Sequence, residues 1–124
     1  MPRVWHPLLA DHPDYDRAQA LYPSGPCSAV VTLDLGCDEA GVFPFLSELR
    51  LVSSATTVGD VHTLCLYPAI TSHRNLGPES RLRVGITEGT VRIAMGIEDP
   101  KVIVDDLLSA IRRTRHGVPV QAPS

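Results

Sequence analysis

Arg92 is the residue whose type and position most clearly suggest chemistry. It lies in the apolar run 90–95 (TVRIAM), which is typical of a β-strand. Side chains alternate along a strand, so Val91, Ile93 and Met95 share one face and Arg92 projects from the other. A guanidinium in such a strand is costly unless it meets a carboxylate or opens into a cleft. Arg92 is therefore a candidate for binding the carboxylate of a ligand through paired hydrogen bonds.

Position alone also allows two structural roles for Arg92. An ion pair within the chain is the commoner outcome for such an arginine, and the nearby acids are Glu88, Glu98 and Asp99. A solvated face of the sheet is the other. The spacing of the residues leaves all three interpretations open.

The cysteines and histidines make a weaker case for nucleophilic or metal chemistry. Cys65 lies between His62 and His73, but its apolar strand is typical of a buried, inert thiol. These two histidines, with His6 and His12, form no H-E-x-x-H, and no C-x-x-C occurs. The glycines form neither G-x-G-x-x-G nor a P-loop. We therefore predict no catalytic residue and no metal site on this chain.

The composition indicates one globular domain. The 124 residues are 44% hydrophobic and 20% charged, with a net charge of −3, which disfavours nucleic acid or an anionic membrane as the main partner. No apolar run approaches the roughly 20 residues that cross a bilayer, and the N-terminus lacks the apolar segment of a signal peptide. Three widely spaced cysteines, Cys27, Cys37 and Cys65, are typical of reduced thiols, so we expect a cytoplasmic protein.

The elements around Arg92 follow from hydrophobic periodicity and breakers. Strands are predicted at 4–6, 28–35, 51–57, 61–66 and 90–95, and helices at 12–21, 38–49, 78–84 and 100–113. Pro44 is placed in the first turn of a helix that starts near Val42. Short connections favour antiparallel neighbours. We predict an α+β fold: a small, largely antiparallel sheet with helices packed on one face.

The last helix is the clearest prediction. Asp99 is a good N-cap, Pro100 suits the first helical position, and Gly117 is placed just beyond the end. Its apolar residues recur at helical spacing: Ile103, Leu107 and Ile111, joined by Val104 and Leu108. We expect a single domain over 1–117 and a disordered tail over 118–124.

The segment 91–99 (VRIAMGIED) resembles the C-terminal signature of the Cys/Met-metabolism family of pyridoxal-phosphate (PLP) enzymes, which includes cystathionine γ-synthase, cystathionine γ-lyase and methionine γ-lyase. Upstream, 4–8 (VWHPL) resembles the family's entry strand, and 57–64 (TVGDVHTL) resembles its S-L-G-G-V-E-S-L segment. The likeness runs from Val4 to about Arg113. It covers the small C-terminal domain of these fold-type I enzymes.

The resemblance implies a binding role for Arg92. In the family the matching arginine holds the α-carboxylate of the amino-acid substrate, and the residues matching Thr57, Val58 and Gly59 lie against that carboxylate. The lysine that binds PLP belongs to the large domain, which these residues do not match. The only lysine, Lys101, is expected on a helix surface and does not replace it. We therefore expect no cofactor-binding residue here and PLP held mainly by a partner chain.

The function that the resemblance implies is that of a small subunit in a split PLP-dependent transsulfuration enzyme. The partner would be a separate chain carrying the PLP-binding large domain, in a hetero-oligomer that performs β- or γ-replacement or elimination. Alone, the chain is not expected to be catalytic. The alternatives are a non-catalytic amino-acid-binding or regulatory module and a truncated pseudoenzyme remnant. Departures from the family pattern at Thr57, Asp60, His62 and the pair Ser28-Ala29 leave the substrate open.

Overall fold

A five-stranded sheet organises the chain. The structure, a computed structural model, describes residues 3–25 and 27–115. The strands are β1 (Arg3–Trp5), β2 (Val30–Asp34), β3 (Ser53–Ser54), β4 (Leu64–Leu66) and β5 (Thr90–Ala94), in the spatial order β1-β2-β5-β4-β3. The helices are α1 (Tyr15–Leu21), α2 (Glu39–Glu48), α3 (Pro78–Arg83) and α4 (Pro100–Arg115). The predicted α+β fold with a largely antiparallel sheet is confirmed.

Strand β5 occupies the centre of the sheet, antiparallel to β2 and β4. The outer pair β3 and β4 is parallel, so the prediction of antiparallel neighbours is wrong there. Both strands are also shorter than predicted. Parallel neighbours start at the same end of the sheet, so residues 56–62 form the return connection and leave the ladder. In this connection the Val61 carbonyl accepts from Ile97 N (2.9 Å).

Helices α2 and α4 pack together over one face of the sheet. The side chains they meet there include Cys65, Val91 and Ile93, all at most 1% exposed. From α4, Ala110 is fully buried, whereas Val104 and Leu108 are 50% and 42% exposed. The prediction therefore placed too many residues of α4 on its buried face, since Val104 and Leu108 lie outside it. The closest packing is at Ala110, whose small side chain lets the helix approach the core.

Helix α2 begins at Glu39 rather than near Val42. The Asp38 side chain accepts a hydrogen bond from Gly41 N (3.1 Å) and caps the helix at this earlier point. Pro44 consequently lies inside the helix and not in its first turn, which corrects the prediction. A proline inside a helix removes one hydrogen bond and crowds the carbonyl one turn earlier, here that of Ala40, at a cost of about 3 kcal/mol.

Two carboxylates fix α4. Asp99 accepts from Lys101 N (2.8 Å), as the predicted N-cap should. Asp106 accepts from the backbone N–H of Arg50, Leu51 and Val52 at 3.0, 2.9 and 3.0 Å, which ties α4 to the segment after α2.

Gly117 and the predicted tail 118–124 lie outside the described residues. Within 3–25 and 27–115, no helix is long and apolar enough to cross a membrane.

Candidate functional site

The candidate site lies on the sheet face that α2 and α4 leave uncovered. In the register of the sheet, Trp5 is opposite Thr32, Thr32 is opposite Arg92, and Arg92 is opposite Leu66. Residues directly opposite one another project to the same side. These four side chains therefore form a row across the sheet, with Arg92 on its central strand, and they face away from the core around Ile93.

A cavity of about 370 Å³ opens on this row. Its wall is mainly apolar, with Trp5, Leu66 and Ile86, and it includes the hydroxyl-bearing Thr32 and Ser72. Small-molecule sites are typically concave and apolar with a few polar groups that fix the ligand's orientation. The size and lining suit a small ligand that carries one anionic group toward Arg92.

The Arg92 guanidinium has one protein partner among the described residues. Its Nη2 donates to the Thr56 carbonyl (3.0 Å), while its Nε is buried without a hydrogen-bond partner. Two of the acids considered as its ion-pair partners bind other groups: Glu98 binds Thr63, and Asp99 caps α4. The third, Glu88, forms no ion pair with Arg92. The ion pairs formed by residues 3–25 and 27–115 do not include Arg92. An internal ion pair is therefore not the role of Arg92 in this part of the chain.

The segment that follows Thr56 carries the other predicted binding residues. Thr57, Val58 and Gly59 form an exposed turn, and Gly59 has a φ of +81°, a conformation that favours glycine. The hydrogen bond from Arg92 to Thr56 thus places the guanidinium at the start of this turn. The sequence did not indicate Thr56, because its contact is made by a backbone carbonyl, which every residue type has.

His62 and His73, the two histidines nearest Cys65 in sequence, lie in different places. His73 lines the Arg92 cavity, where its Nδ1 lies 2.8 Å from Ser72 Oγ. His62 lies on the exposed loop before β4, and its Nδ1 is 3.1 Å from Asp60 Oδ1. In the described part of the chain, no three His, Cys, Asp or Glu residues come together in a group that could hold a metal ion.

Cys65 is on the opposite side of the sheet from Arg92. It is paired with Ile93, is 1% exposed, and burial raises the pKa of its thiol to about 12. A thiol that stays protonated at neutral pH is a poor nucleophile. The residues His62 and His73, considered as its activators, lie outside the core that surrounds it. The structure therefore gives Cys65 a packing role.

Lys101, considered as a possible cofactor-binding amine, lies away from the Arg92 cavity. It is an exposed residue in the first turn of α4, the helix that packs on the sheet face opposite Arg92. Its Nζ is 2.8 Å from Asp105 Oδ2, and this hydrogen bond raises the pKa of the lysine. Lys101 is therefore paired with Asp105 on the side of the sheet away from the Arg92 cavity.

The sequence comparisons identify a family. Residues 1–112 match the family described as "Cys/Met metabolism PLP-dependent enzyme". An O-succinylhomoserine sulfhydrylase from Mycobacterium tuberculosis strain H37Rv is 39% identical over 114 residues, which cover 89% of this chain and 27% of that protein. An O-acetyl-L-homoserine sulfhydrylase from Thermus thermophilus is 35% identical and is matched over 87% of this chain and 25% of its own length.

Solved structures show the same fold. A cystathionine γ-synthase from Xanthomonas oryzae pv. oryzae, in complex with aminoacrylate and cysteine, matches with a TM-score of 0.78 and 30% identity over 94% of this chain and 30% of that one. A γ-lyase from Micromonospora echinospora gives a TM-score of 0.76 and 34% identity over 89% and 28%. This chain spans 25% to 30% of the length of these four relatives. It belongs to the Cys/Met metabolism PLP-dependent enzyme family.

Proposed function

We propose that this chain is the small subunit of a split transsulfuration-type PLP enzyme and that Arg92 binds the α-carboxylate of the amino-acid substrate. The observation that carries the proposal is the state of the guanidinium. It faces a cavity, its Nε is buried without a partner, and no acid among the described residues neutralises it. A carboxylate is the ligand that such a group lacks.

The chemistry of the cavity favours a carboxylate. A guanidinium is a planar donor that binds carboxylates through two parallel hydrogen bonds. The apolar wall formed by Trp5, Leu66 and Ile86 lowers the local dielectric and strengthens the attraction between opposite charges. The hydrogen bond to the Thr56 carbonyl holds the guanidinium in one orientation before the ligand arrives.

The turn 57–59 is proposed to complete the carboxylate site. Thr57 offers a hydroxyl and a backbone N–H as donors to a carboxylate oxygen, and Val58 and Gly59 offer further backbone N–H groups. The lack of a side chain at Gly59 lets a ligand approach the backbone closely. Recognition would thus combine one cation with neutral donors, all of them on this chain.

The cofactor is proposed to come from a separate chain that carries the PLP-binding large domain. PLP supplies an electron sink at the substrate's Cα, and the protein supplies binding and orientation. The position of Lys101 supports a division of labour in which this chain contributes substrate binding. The names of the relatives support β- or γ-replacement or elimination as the reaction. The free thiols support a cytoplasmic location.

One observation favours a second candidate function. The cavity and Arg92 lie entirely within the described part of this chain, so an amino acid could be bound without any partner. The chain would then be a non-catalytic amino-acid-binding module. The two candidates differ in whether association with a PLP-bearing chain accompanies binding.

Co-expression with a candidate chain that contains a lysine-bearing PLP domain tests the proposal. We expect the two chains to co-purify with bound PLP whose absorbance band shifts when an amino acid is added. Because hydrogen bonds to charged groups contribute up to about 3 kcal/mol, Arg92→Ala should raise the KM of the complex by about 100-fold. Arg112→Ala, an exposed change on α4, is the control and should leave KM unchanged.

Two results would overturn the proposal. An unchanged KM in the Arg92→Ala complex would remove the carboxylate role of Arg92. Tight amino-acid binding by this chain, with no association with any PLP-domain chain tested, would favour the binding module.

A further inference from the structure

We infer that Glu98 is a positioning residue, which holds the 56–62 loop beside Arg92 through its hydrogen bonds with Thr63. The 56–62 loop comprises the residues between the end of the β3 region and Thr63, and it contains the proposed binding turn 57–59. The inference deepens the proposed function and rests on it for its biological meaning. Its geometry is independent of that function.

Both oxygens of the Glu98 carboxylate bind one residue. Oε1 accepts from Thr63 N (2.8 Å), and Oε2 accepts from Thr63 Oγ1 (2.7 Å). Thr63 is fully buried, at 0% exposure. Hydrogen bonds to an ionised group are roughly twice as strong as those between neutral groups. The pair therefore fixes the end of the loop firmly.

Further hydrogen bonds join the same two segments. Gly96 N donates to Thr63 Oγ1 (2.9 Å), and Ile97 N donates to the Val61 carbonyl (2.9 Å). A Cβ added at Gly96 would collide with the Val61 carbonyl and would lie 2.5 Å from Glu98 Oε2. Only glycine lets the segment 96–98 and the end of the loop approach this closely.

The loop is held at its two ends. Residues 56–62 are all exposed. At the start, the Thr56 carbonyl accepts from Arg92, and at the end, Thr63 binds Glu98. Both anchors belong to one continuous stretch, since β5 carries Arg92 and runs directly into 96–98. Glu98 therefore sets where the turn 57–59 lies relative to the guanidinium.

Asp106 provides a matched control for this inference. Its carboxylate also belongs to the α4 region and also binds backbone N–H groups of a connecting segment, at Arg50, Leu51 and Val52. That segment precedes β3 and does not include the 56–62 loop. Loss of Asp106 should weaken the fold and leave the loop in place.

The experiment uses the full chain labelled with ¹⁵N and two NMR readouts. These are the backbone order parameters of Val58 and Gly59 and the Nε–H signal of Arg92. With Glu98→Ala we expect the order parameters to fall from about 0.85 to below about 0.6, and the Arg92 signal to move. Glu98→Gln, which keeps one acceptor, is the second variant should the alanine variant fail to fold, and it should show smaller changes in the same direction.

Variants at Thr63 and Asp106 separate positioning from stability. Thr63→Ser keeps the hydroxyl, so the order parameters and the Arg92 signal should stay at their wild-type values. Thr63→Val removes the hydroxyl, so the order parameters should fall and the Arg92 signal should move. Asp106→Asn should lower the thermal midpoint and leave both readouts unchanged. Wild-type order parameters and an unmoved Arg92 signal in both Glu98→Gln and Thr63→Val would overturn the inference.

Titration with L-methionine distinguishes this inference from the proposed function. We expect the dissociation constant to rise about tenfold in Glu98→Gln. If the wild-type chain shows no binding while the loop readouts respond to Glu98, the positioning role stands and the carboxylate role of Arg92 fails. If the wild-type chain binds and Glu98→Gln binds equally well with an unchanged loop, the positioning role fails.

Discussion

At the scale of single residues, Arg92 combines a structural cost with a binding opportunity. Its Nε is buried without a hydrogen-bond partner, and leaving such a group unpaired costs about 1–3 kcal/mol. Residues in binding sites are commonly kept at some cost to stability, because the unpaired group is the one that a ligand satisfies. This predicts that Arg92 stabilises the complex with ligand more than it stabilises the fold.

Replacement of Arg92 by methionine tests this trade-off. Arg92→Met keeps an unbranched apolar chain and removes both the unpaired Nε and the hydrogen bond to the exposed Thr56 carbonyl. Water can replace Arg92 at an exposed carbonyl, so relief of the buried donor dominates and we expect the free energy of unfolding to rise by about 1 kcal/mol. Urea denaturation of the isolated chain measures it, and Arg112→Met on the exposed surface of α4 is the control. A fall in unfolding free energy of similar size would show that Arg92 supports the fold instead.

At the scale of elements, local signals predicted the elements that carry the site. Alternation in TVRIAM placed Arg92 on the face opposite Ile93, and the N-cap at Asp99 set the start of α4. The parallel pairing of β3 with β4 was not predictable, because it depends on how residues 55–63 return across the sheet. Thr56 was missed for a related reason, since its part in the site is a backbone contact from a distant strand.

The sequence interpretation of Glu98 shows the same limit. Proximity in sequence suggested Glu98 as an ion-pair partner for Arg92, whereas the carboxylate binds Thr63 across the sheet. Residues six apart at a strand end diverge in direction once the chain turns, so spacing alone does not decide between the two partners. The shape of the turn at 96–98 decides it, and that shape requires the close approach at Gly96.

Helix α4 is predicted to be the element whose attachment depends on pH. Burial of Asp106 acts to raise its pKa, but the N–H groups of Val52, Arg50 and Leu51 together lower it below its ordinary value of 3.8. A carboxyl whose pKa is lowered in the folded state stabilises the fold above its unfolded pKa. That contribution is lost as the pH falls through the folded value.

Asp106→Asn tests this attachment. The substitution removes the charge and leaves one acceptor oxygen in place of two, so we expect the free energy of unfolding to fall by about 1–3 kcal/mol at pH 7. The difference between wild type and variant should shrink as the pH falls below the ordinary pKa of about 4 and toward the lower pKa of folded Asp106, because protonation removes the charge that the N–H groups bind. Urea denaturation at pH 7 and pH 3 measures both differences. An equal difference at the two pH values would show that the charge of Asp106 does not contribute to holding α4 on residues 50–52.

At the scale of the whole molecule, the chain matches 25% to 30% of the length of its relatives and carries one lysine. That lysine, Lys101, is paired with Asp105 on the side of the sheet away from Arg92. The proposal therefore assigns amino-acid recognition to this chain and cofactor chemistry to its partner. The two roles can be tested separately.

Lys101→Arg tests the division of roles. In the complex with a PLP-bearing chain, we expect this variant to retain its PLP content and its activity, because arginine preserves the surface charge beside Asp105. Borohydride reduction followed by mass spectrometry should find the pyridoxyl group on the partner chain alone. Pyridoxyl on Lys101, or loss of PLP in the variant, would show that this chain binds the cofactor itself.

The central claim is that a carboxylate binds Arg92, and an NMR titration tests it most directly. The ¹⁵N-labelled chain is titrated with L-methionine and, in parallel, with L-methioninamide, which lacks the carboxylate. The account predicts a saturable shift of the Arg92 Nε–H signal with L-methionine and none with the amide. Equal shifts with both compounds, or no shift with either, would contradict it.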